Sequence, residues 1–126
     1  EWSHRNGINT MMRLPLNDSF YRADPDCAAF TERVDADVNL DFLEMCAITG
    51  VTTLASVTPD ILTRDQMKRI NEIYRIADND EERYEIGDFE TNANPEVFVD
   101  PKTGKTREFD WERIYHGSRH VLDWFN

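Results

Sequence analysis

The stretch DVNLDFLEMCAITGVTTLASV, residues 37–57, decides the fold because its hydrophobic period changes at Gly50. Before that glycine, over residues 37–49, apolar side chains recur every three or four positions, which is typical of an amphipathic helix. After it, residues 51–57 form a short, β-branched apolar run, which is typical of a buried parallel strand. Glycine ends helices readily because it adopts a left-handed backbone without strain. We therefore predict a helix followed by a buried strand.

The flanking segments extend this pattern to strand, long loop, helix, strand and helix. The best candidate for the first strand is INTMMRLPL, residues 8–16. Downstream, Thr63 and Gln66 form a capping box, in which each side chain satisfies a free backbone N–H where a helix over residues 64–77 begins. Strands that alternate with helices indicate a parallel α/β fold.

The last third of the chain has a different pattern. Residues 97–99 and 107–109 flank the turn sequence Asp100-Pro101-Lys102-Thr103-Gly104, and together they predict a β-hairpin. The apolar and aromatic residues of 111–125 predict a short amphipathic helix that closes the chain.

The charged run at residues 79–83 is typical of a linker. We therefore predict two parts, with the strand–helix units in residues 1–78 and a tail of hairpin and helix in residues 79–126. The chain opens on Glu1 in what resembles the middle of a domain, so we expect the natural protein to be longer.

Composition excludes two classes of partner. The 126 residues include 25 acidic and 14 basic side chains, a formal net charge of −11. Nucleic-acid phosphates need clustered Lys and Arg, so nucleic-acid binding is excluded. The longest uncharged stretch, residues 46–59, is too polar and too short to span a membrane. The acidic surface aids solubility, and acid-rich clefts also suit neutral sugars, whose hydroxyls need carboxylate acceptors.

The cysteines and histidines predict no metal or cofactor site. Cys27 and Cys46 lack the partners of a zinc site, and we interpret them as two buried free thiols, which leaves the cellular compartment open. His116 and His120 are four residues apart, but no carboxylate completes a ligand set and Gly117 weakens the helix. The sequence contains no GxSxG, P-loop or GxGxxG motif, so neither a serine nucleophile nor a nucleotide cofactor is predicted.

The candidate site residues lie in two acidic loops, Asp24-Pro25-Asp26 and the loop at Asp60. We expect each loop to follow a strand, where parallel α/β proteins bind their ligands. Asp24 and Asp26 are two residues apart on an extended turn, so both carboxylates are expected to face one cavity. The alternative is a turn in which an Asp side chain caps the backbone. Arg22 either binds the ligand or pairs with Asp24.

At Ala23-Asp24-Pro25-Asp26-Cys27 the chain resembles the melibiase-type α-galactosidases, which are retaining glycoside hydrolases. In that family an Asn-Asp-Pro-Asp-Met signature follows the seventh strand of a (β/α)8 TIM barrel. An amphipathic helix, an apolar eighth strand with a Ser-Asn-Asp-Leu-like loop, and a final helix come next. Residues 8–78 offer the same order, with Ser56, Asp60 and Leu62 at the eighth loop, whereas Ala23 and Cys27 replace the Asn and Met of the signature.

The resemblance implies the last strand–helix units of a TIM barrel, followed here by a short β-hairpin and a C-terminal helix. It implies that Asp26 contacts the sugar in the glycone subsite, that Asp24 shapes the turn, and that Asp60 matches the acid of the eighth loop. The nucleophile and the acid/base of the family lie on earlier strands. The expectation is therefore an enzyme fragment, inactive alone, whose partners are an α-glycoside and the rest of the barrel or another subunit.

A second hypothesis is a stand-alone acidic α/β module that binds a ligand or a protein partner. Its docking face would consist of Trp111, Tyr115, Trp124 and Phe125, which otherwise pack in the core. The two hypotheses differ in one geometric expectation. A barrel brings Asp26 and Asp60 to one cavity at one sheet edge, whereas a module separates them and exposes an aromatic patch.

Overall fold

In the computed structural model, which describes residues 3–79 and 83–113, strands and helices alternate after an N-terminal helix. In chain order the elements are α1 (Ser3–Met12), a 3-10 helix (Leu14–Leu16), β1 (Cys27–Phe30), α2 (Ala36–Thr49), β2 (Leu54–Val57), α3 (Arg64–Asp78), β3 (Glu85–Ile86), β4 (Val97–Val99) and β5 (Thr106–Glu108). The described chain is therefore mixed α/β, as the sequence predicts.

Strands β1 and β2 form a parallel pair, in which Cys27 lies opposite Leu54 and Phe30 lies opposite Val57. Helix α2 connects them and α3 follows β2, which gives the order strand, helix, strand, helix. The predictions of a helix ending before Gly50 and of a parallel strand after it are confirmed. The expected burial of that strand is wrong, because Leu54 and Val57 are exposed. The strand is shorter than predicted, because its regular pairing begins only at Leu54.

Helix α2 forms the centre of the core because it is buried on nearly every side. Its first turn is capped by Asp35, whose carboxylate accepts hydrogen bonds from the backbone N–H groups of Asp37 and Val38. Its last turn ends at Gly50, which has a φ of 77°. Asn39 is fully buried, and its side-chain amide donates to the backbone oxygen of Ala29 over 2.5 Å. This bond joins the helix directly to β1.

Helix α3 packs one apolar face against α2 and begins at the predicted capping box. The Thr63 hydroxyl accepts from the Gln66 backbone N–H, and the Gln66 side chain accepts from the Thr63 N–H. On the buried face, Ile70 and Ile73 lie in the core. The sequence prediction for this helix is confirmed to within one residue at its end.

The tail forms a three-stranded antiparallel sheet in the order β3-β4-β5. The predicted hairpin is confirmed, with β5 shifted by one residue. Phe98 and Phe109 meet edge to face with ring centroids 5.5 Å apart. Trp111 is buried and donates from its indole N–H to the backbone oxygen of Pro95. Residues 111–113 are helical, and the rest of the predicted terminal helix lies outside the described residues, as does most of the predicted linker.

The predicted strand at residues 8–16 is wrong, because this segment forms α1 and the 3-10 helix. Met11 is completely buried in the core. Gly7 lies so close to Trp111 that a Cβ there would be 2.5 Å from the Cη2 of the indole. The first strand is instead Cys27–Phe30, which directly follows Asp26.

Candidate functional site

The two predicted acidic loops lie at opposite ends of the β1–β2 sheet. Asp24 and Asp26 precede β1, whereas Asp60 comes three residues after the end of β2. Since the two strands are parallel and in register over four residues, the strand length alone separates the loops by roughly 10 Å. The expectation that both loops follow a strand and converge on one cavity is therefore wrong. The strand comes after the Asp-Pro-Asp tripeptide, not before it.

Asp24 and Asp26 form a tight turn in which each carboxylate binds the backbone. The Asp24 Oδ1 accepts from the Asp26 N–H over 2.9 Å, and the Asp26 Oδ1 accepts from the Cys27 N–H over 2.7 Å. Asp26 has a φ of 72°, a left-handed backbone that is uncommon outside glycine. Both acids and Arg22 are exposed. The backbone-capping alternative thus describes this turn, and sugar binding by these residues stays a prediction.

Asp60 lies at the carboxyl-terminal edge of the sheet, in a turn that β1 anchors. The Thr58 N–H donates to the backbone oxygen of Phe30 over 2.9 Å, and Asp60 has a φ of 63°. Thr31 and Glu32 leave β1 at the same edge, and Glu32 is exposed. Sequence reasoning missed these two residues because it did not place a strand at residues 27–30. Carboxylates from two neighbouring strand ends are the arrangement in which parallel α/β proteins hold polar ligands.

A cleft of about 560 Å³ lies at the opposite, amino-terminal edge. Its walls come from the chain around the 3-10 helix, from the end of α2 and from the chain around β3. The lining residues are Leu14, Pro15, Asn17, Asp18, Thr49, Arg83, Tyr84, Glu85, Ile86 and Phe89. This cleft has no local sequence signal, because its lining residues come from parts of the chain that are far apart.

Both cysteines are free thiols, as predicted, although only Cys46 is fully buried. Burial, assisted by the charge of Asp24, raises the pKa of Cys46 to about 12. Partial burial and the neighbouring carboxylate of Asp26 also raise the pKa of Cys27. Thiols with raised pKa values are poor nucleophiles and poor metal ligands at neutral pH, because the reactive form is the thiolate.

Comparisons of the chain with protein-family models, with curated proteins and with solved structures found no match. Within residues 3–79 and 83–113, no three His, Cys, Asp or Glu side chains cluster as metal ligands do. In the same described part of the chain, no helix combines the length and the apolar character that crossing a membrane requires.

Proposed function

We propose that this chain is the closing part of a (β/α)-barrel glycoside hydrolase, which supplies sugar-binding carboxylates but not the catalytic pair. One observation carries the proposal: a parallel strand–helix–strand–helix unit whose sheet has only two strands in the described residues. Such units are the repeating element of barrels and doubly wound sheets, which are built from many of them.

The second strand of the unit is exposed to an extent that is unusual in parallel sheets. Leu54 and Val57 on β2 are 47% and 37% exposed, whereas Ala28 and Phe30 on β1 are buried. Parallel sheets are normally covered on both faces, and unpaired apolar strand edges promote association. Further strands and a filled barrel interior would cover the exposed residues of β2, which supports a larger sheet.

The carboxyl-terminal edge of this sheet has the chemistry that sugar binding needs. Asp60 and Glu32 follow neighbouring strands there, and ionised carboxylates accept hydrogen bonds from sugar hydroxyls. In barrel enzymes the active site lies at this edge. In the proposal, Asp60 therefore binds the α-glycoside. Asp26 lies at the opposite edge of the sheet, so the geometry does not support the sugar contact that the family resemblance implies for it.

The experiment begins with the mass of the natural polypeptide from its source, followed by assays of that protein on aryl α-galactosides. We expect a polypeptide that is several times longer than this chain and that hydrolyses the substrate. Asp60→Asn should lower kcat/KM at least about tenfold, which is the loss expected when a charged hydrogen bond to the substrate is removed. Asp65→Asn, an exposed acid on α3, is the matched control and should have no effect. A folded, monomeric natural chain of 126 residues would contradict the proposal.

The separation of Asp26 from Asp60 favours a second candidate, the acidic α/β binding module. The docking face predicted for this module is not seen, because Trp111 is 2% exposed and Tyr115, Trp124 and Phe125 lie outside the described residues. Phe20 is 86% exposed, and Tyr21 and Phe89 are also exposed, so other aromatic side chains are available to a partner. A natural protein of this size that remains folded and lacks activity on α-glycosides would support the module.

A further inference from the structure

We infer that the cleft at the amino-terminal edge of the sheet is a second sugar-binding site, distinct from the edge that carries Asp60. The inference depends on the proposed function only for the class of ligand, a neutral glycoside. The cleft has the size of a small-molecule site, since its volume of about 560 Å³ lies within the range of roughly 300–1,000 Å³ that such sites occupy.

The cleft combines an apolar wall with a few polar groups. Leu14, Pro15 and Ile86 contribute apolar surface, and Phe89 is 46% exposed. An exposed aromatic ring at the wall of a cleft offers a face against which the C–H groups of a pyranose ring can stack. This aromatic surface favours a sugar over a small hydrophilic ion as the ligand of the cleft.

The charges at the cleft favour a neutral polyol over an anion. Asp18 and Glu85 contribute two carboxylates, and Arg83 contributes one guanidinium. Carboxylates only accept hydrogen bonds and a guanidinium only donates them, so together they match the hydroxyl groups of a sugar, which do both. An anionic ligand would be repelled by the excess of negative charge, which the whole chain shares with a net charge of −11.

The walls of the cleft are held in place by hydrogen bonds that do not involve a ligand. Asn17 accepts from the Ala23 N–H over 2.8 Å and donates to the backbone oxygen of Gly50 over 3.3 Å. On the other wall, the Tyr84 N–H donates to the backbone oxygen of Ile48 over 2.8 Å. A site that is organised before binding loses less conformational entropy when the ligand enters.

The test is a titration of the ¹⁵N-labelled natural polypeptide with methyl α-galactoside and with methyl α-glucoside, followed by amide NMR shifts. We expect saturable shifts at Asp18, Glu85 and Phe89. Phe89→Ala should weaken binding by about threefold to tenfold, the value of one aromatic contact. Phe20→Ala removes an exposed aromatic side chain that does not line the cleft and should leave the dissociation constant unchanged. Glu85→Gln, a nearly isosteric change at an exposed position, should also weaken binding.

Two results would overturn the inference. The first is the absence of saturable shifts at the cleft with either glycoside, and the second is saturation of the same amides by inorganic phosphate. Shifts confined to residues 58–60 would overturn the inference that the cleft binds a sugar and would support the proposed function. The activity of the natural polypeptide on α-galactosides tests the proposed function by a separate readout, so the two failures are distinguishable.

Discussion

The carboxylate of Glu44 and the guanidinium of Arg107 are 63 residues apart in the chain and lie 2.5 Å apart in the structure. Glu44 is a buried residue of α2, and its second oxygen accepts from Arg69 on α3 over 3.0 Å. One carboxylate therefore joins two helices to the tail sheet. Asp41, one turn earlier on α2, pairs with Arg69 and with Arg113, which follows β5.

Replacing Glu44 with Gln keeps the side-chain shape but removes the charge that both arginines share. We expect the free energy of unfolding to fall by about 1–2 kcal/mol. This is below the value of two fully buried charged bonds, because Arg69 and Arg107 are 34% and 45% exposed. Urea denaturation monitored by circular dichroism measures the change. Glu72→Gln, at an exposed position of α3, should be neutral, and equal losses in both variants would contradict the assigned role of Glu44.

The capping box makes Thr63 the residue on which the start of α3 depends. Thr63→Ala removes the hydroxyl that accepts from the Gln66 N–H, and we expect a loss of about 1 kcal/mol in the free energy of unfolding. Thr63→Ser retains the hydroxyl and should retain most of the stability. If the two variants unfold at the same urea concentration, the cap does not contribute as the geometry indicates.

The two thiols should differ in their reaction with a disulfide reagent. Burial raises the pKa of Cys46 to about 12 and blocks access, so we expect Cys46 to react only after the chain unfolds in urea. Cys27 is half-buried and its pKa is also raised, so it should react slowly in the folded protein. One thiol per chain is therefore expected in buffer and two in urea. Cys27→Ser should abolish the reaction in buffer, and rapid labelling of Cys46 would contradict the packing of α2.

The hydrogen bonds of Asp100 lead us to predict that the stability of the fold depends on pH. Its carboxylate accepts from the Thr103 hydroxyl over 2.6 Å and from the Lys102 N–H over 2.9 Å, and these bonds lower the pKa of Asp100 below its ordinary value of 3.8. A carboxyl with a lowered pKa in the folded state stabilises the fold above the pKa of the unfolded chain. That stabilisation is lost as the pH falls through the folded pKa.

Urea midpoints between roughly pH 2 and pH 6 measure this effect. We expect Asp100→Asn to be less stable than the original protein near pH 6 and the difference to shrink as the pH falls below 3.8. If the difference in stability between the two proteins stays constant across this pH range, the charge of Asp100 does not contribute to the stability of the fold.

The sequence predicts the elements whose signals are local. Gly50 as a helix end, the Thr63 and Gln66 capping box, and the hairpin turn at residues 100–104 each require a particular residue at a particular place, and the structure confirms all three. The segment at residues 8–16 lacks such a signal, since a short apolar run fits a helix and a strand equally well. In the structure, Gly7 of the same helix packs closely against Trp111, a residue far away in the chain that no local pattern indicates.

The candidate site was less predictable than the fold, because its geometry depends on one short strand. Cys27–Phe30 contains two alanines, which are uncommon in strands, so the sequence pattern did not indicate it. Without that strand, Asp24 and Asp26 were predicted at the wrong end of the sheet. The cleft is formed by three segments that are far apart in the chain, and no periodic sequence pattern indicates that they lie close together in space.

Asp18, Asp26 and Asp60 share a left-handed backbone, and among the described residues other than glycine they alone adopt it. Glycine would relieve the strain at Asp18 and at Asp60 by an amount of order 1 kcal/mol each. At Asp26 it would also remove the bond that the carboxylate accepts from the Cys27 N–H. The three residues belong to the cleft, to the turn before β1 and to the carboxyl-terminal edge of the sheet. A screen that selects only for resistance to heat should therefore enrich glycine at Asp18 and Asp60 more strongly than at Asp26. Without any ligand, such a screen would identify acids whose backbone conformation lowers the stability of the fold.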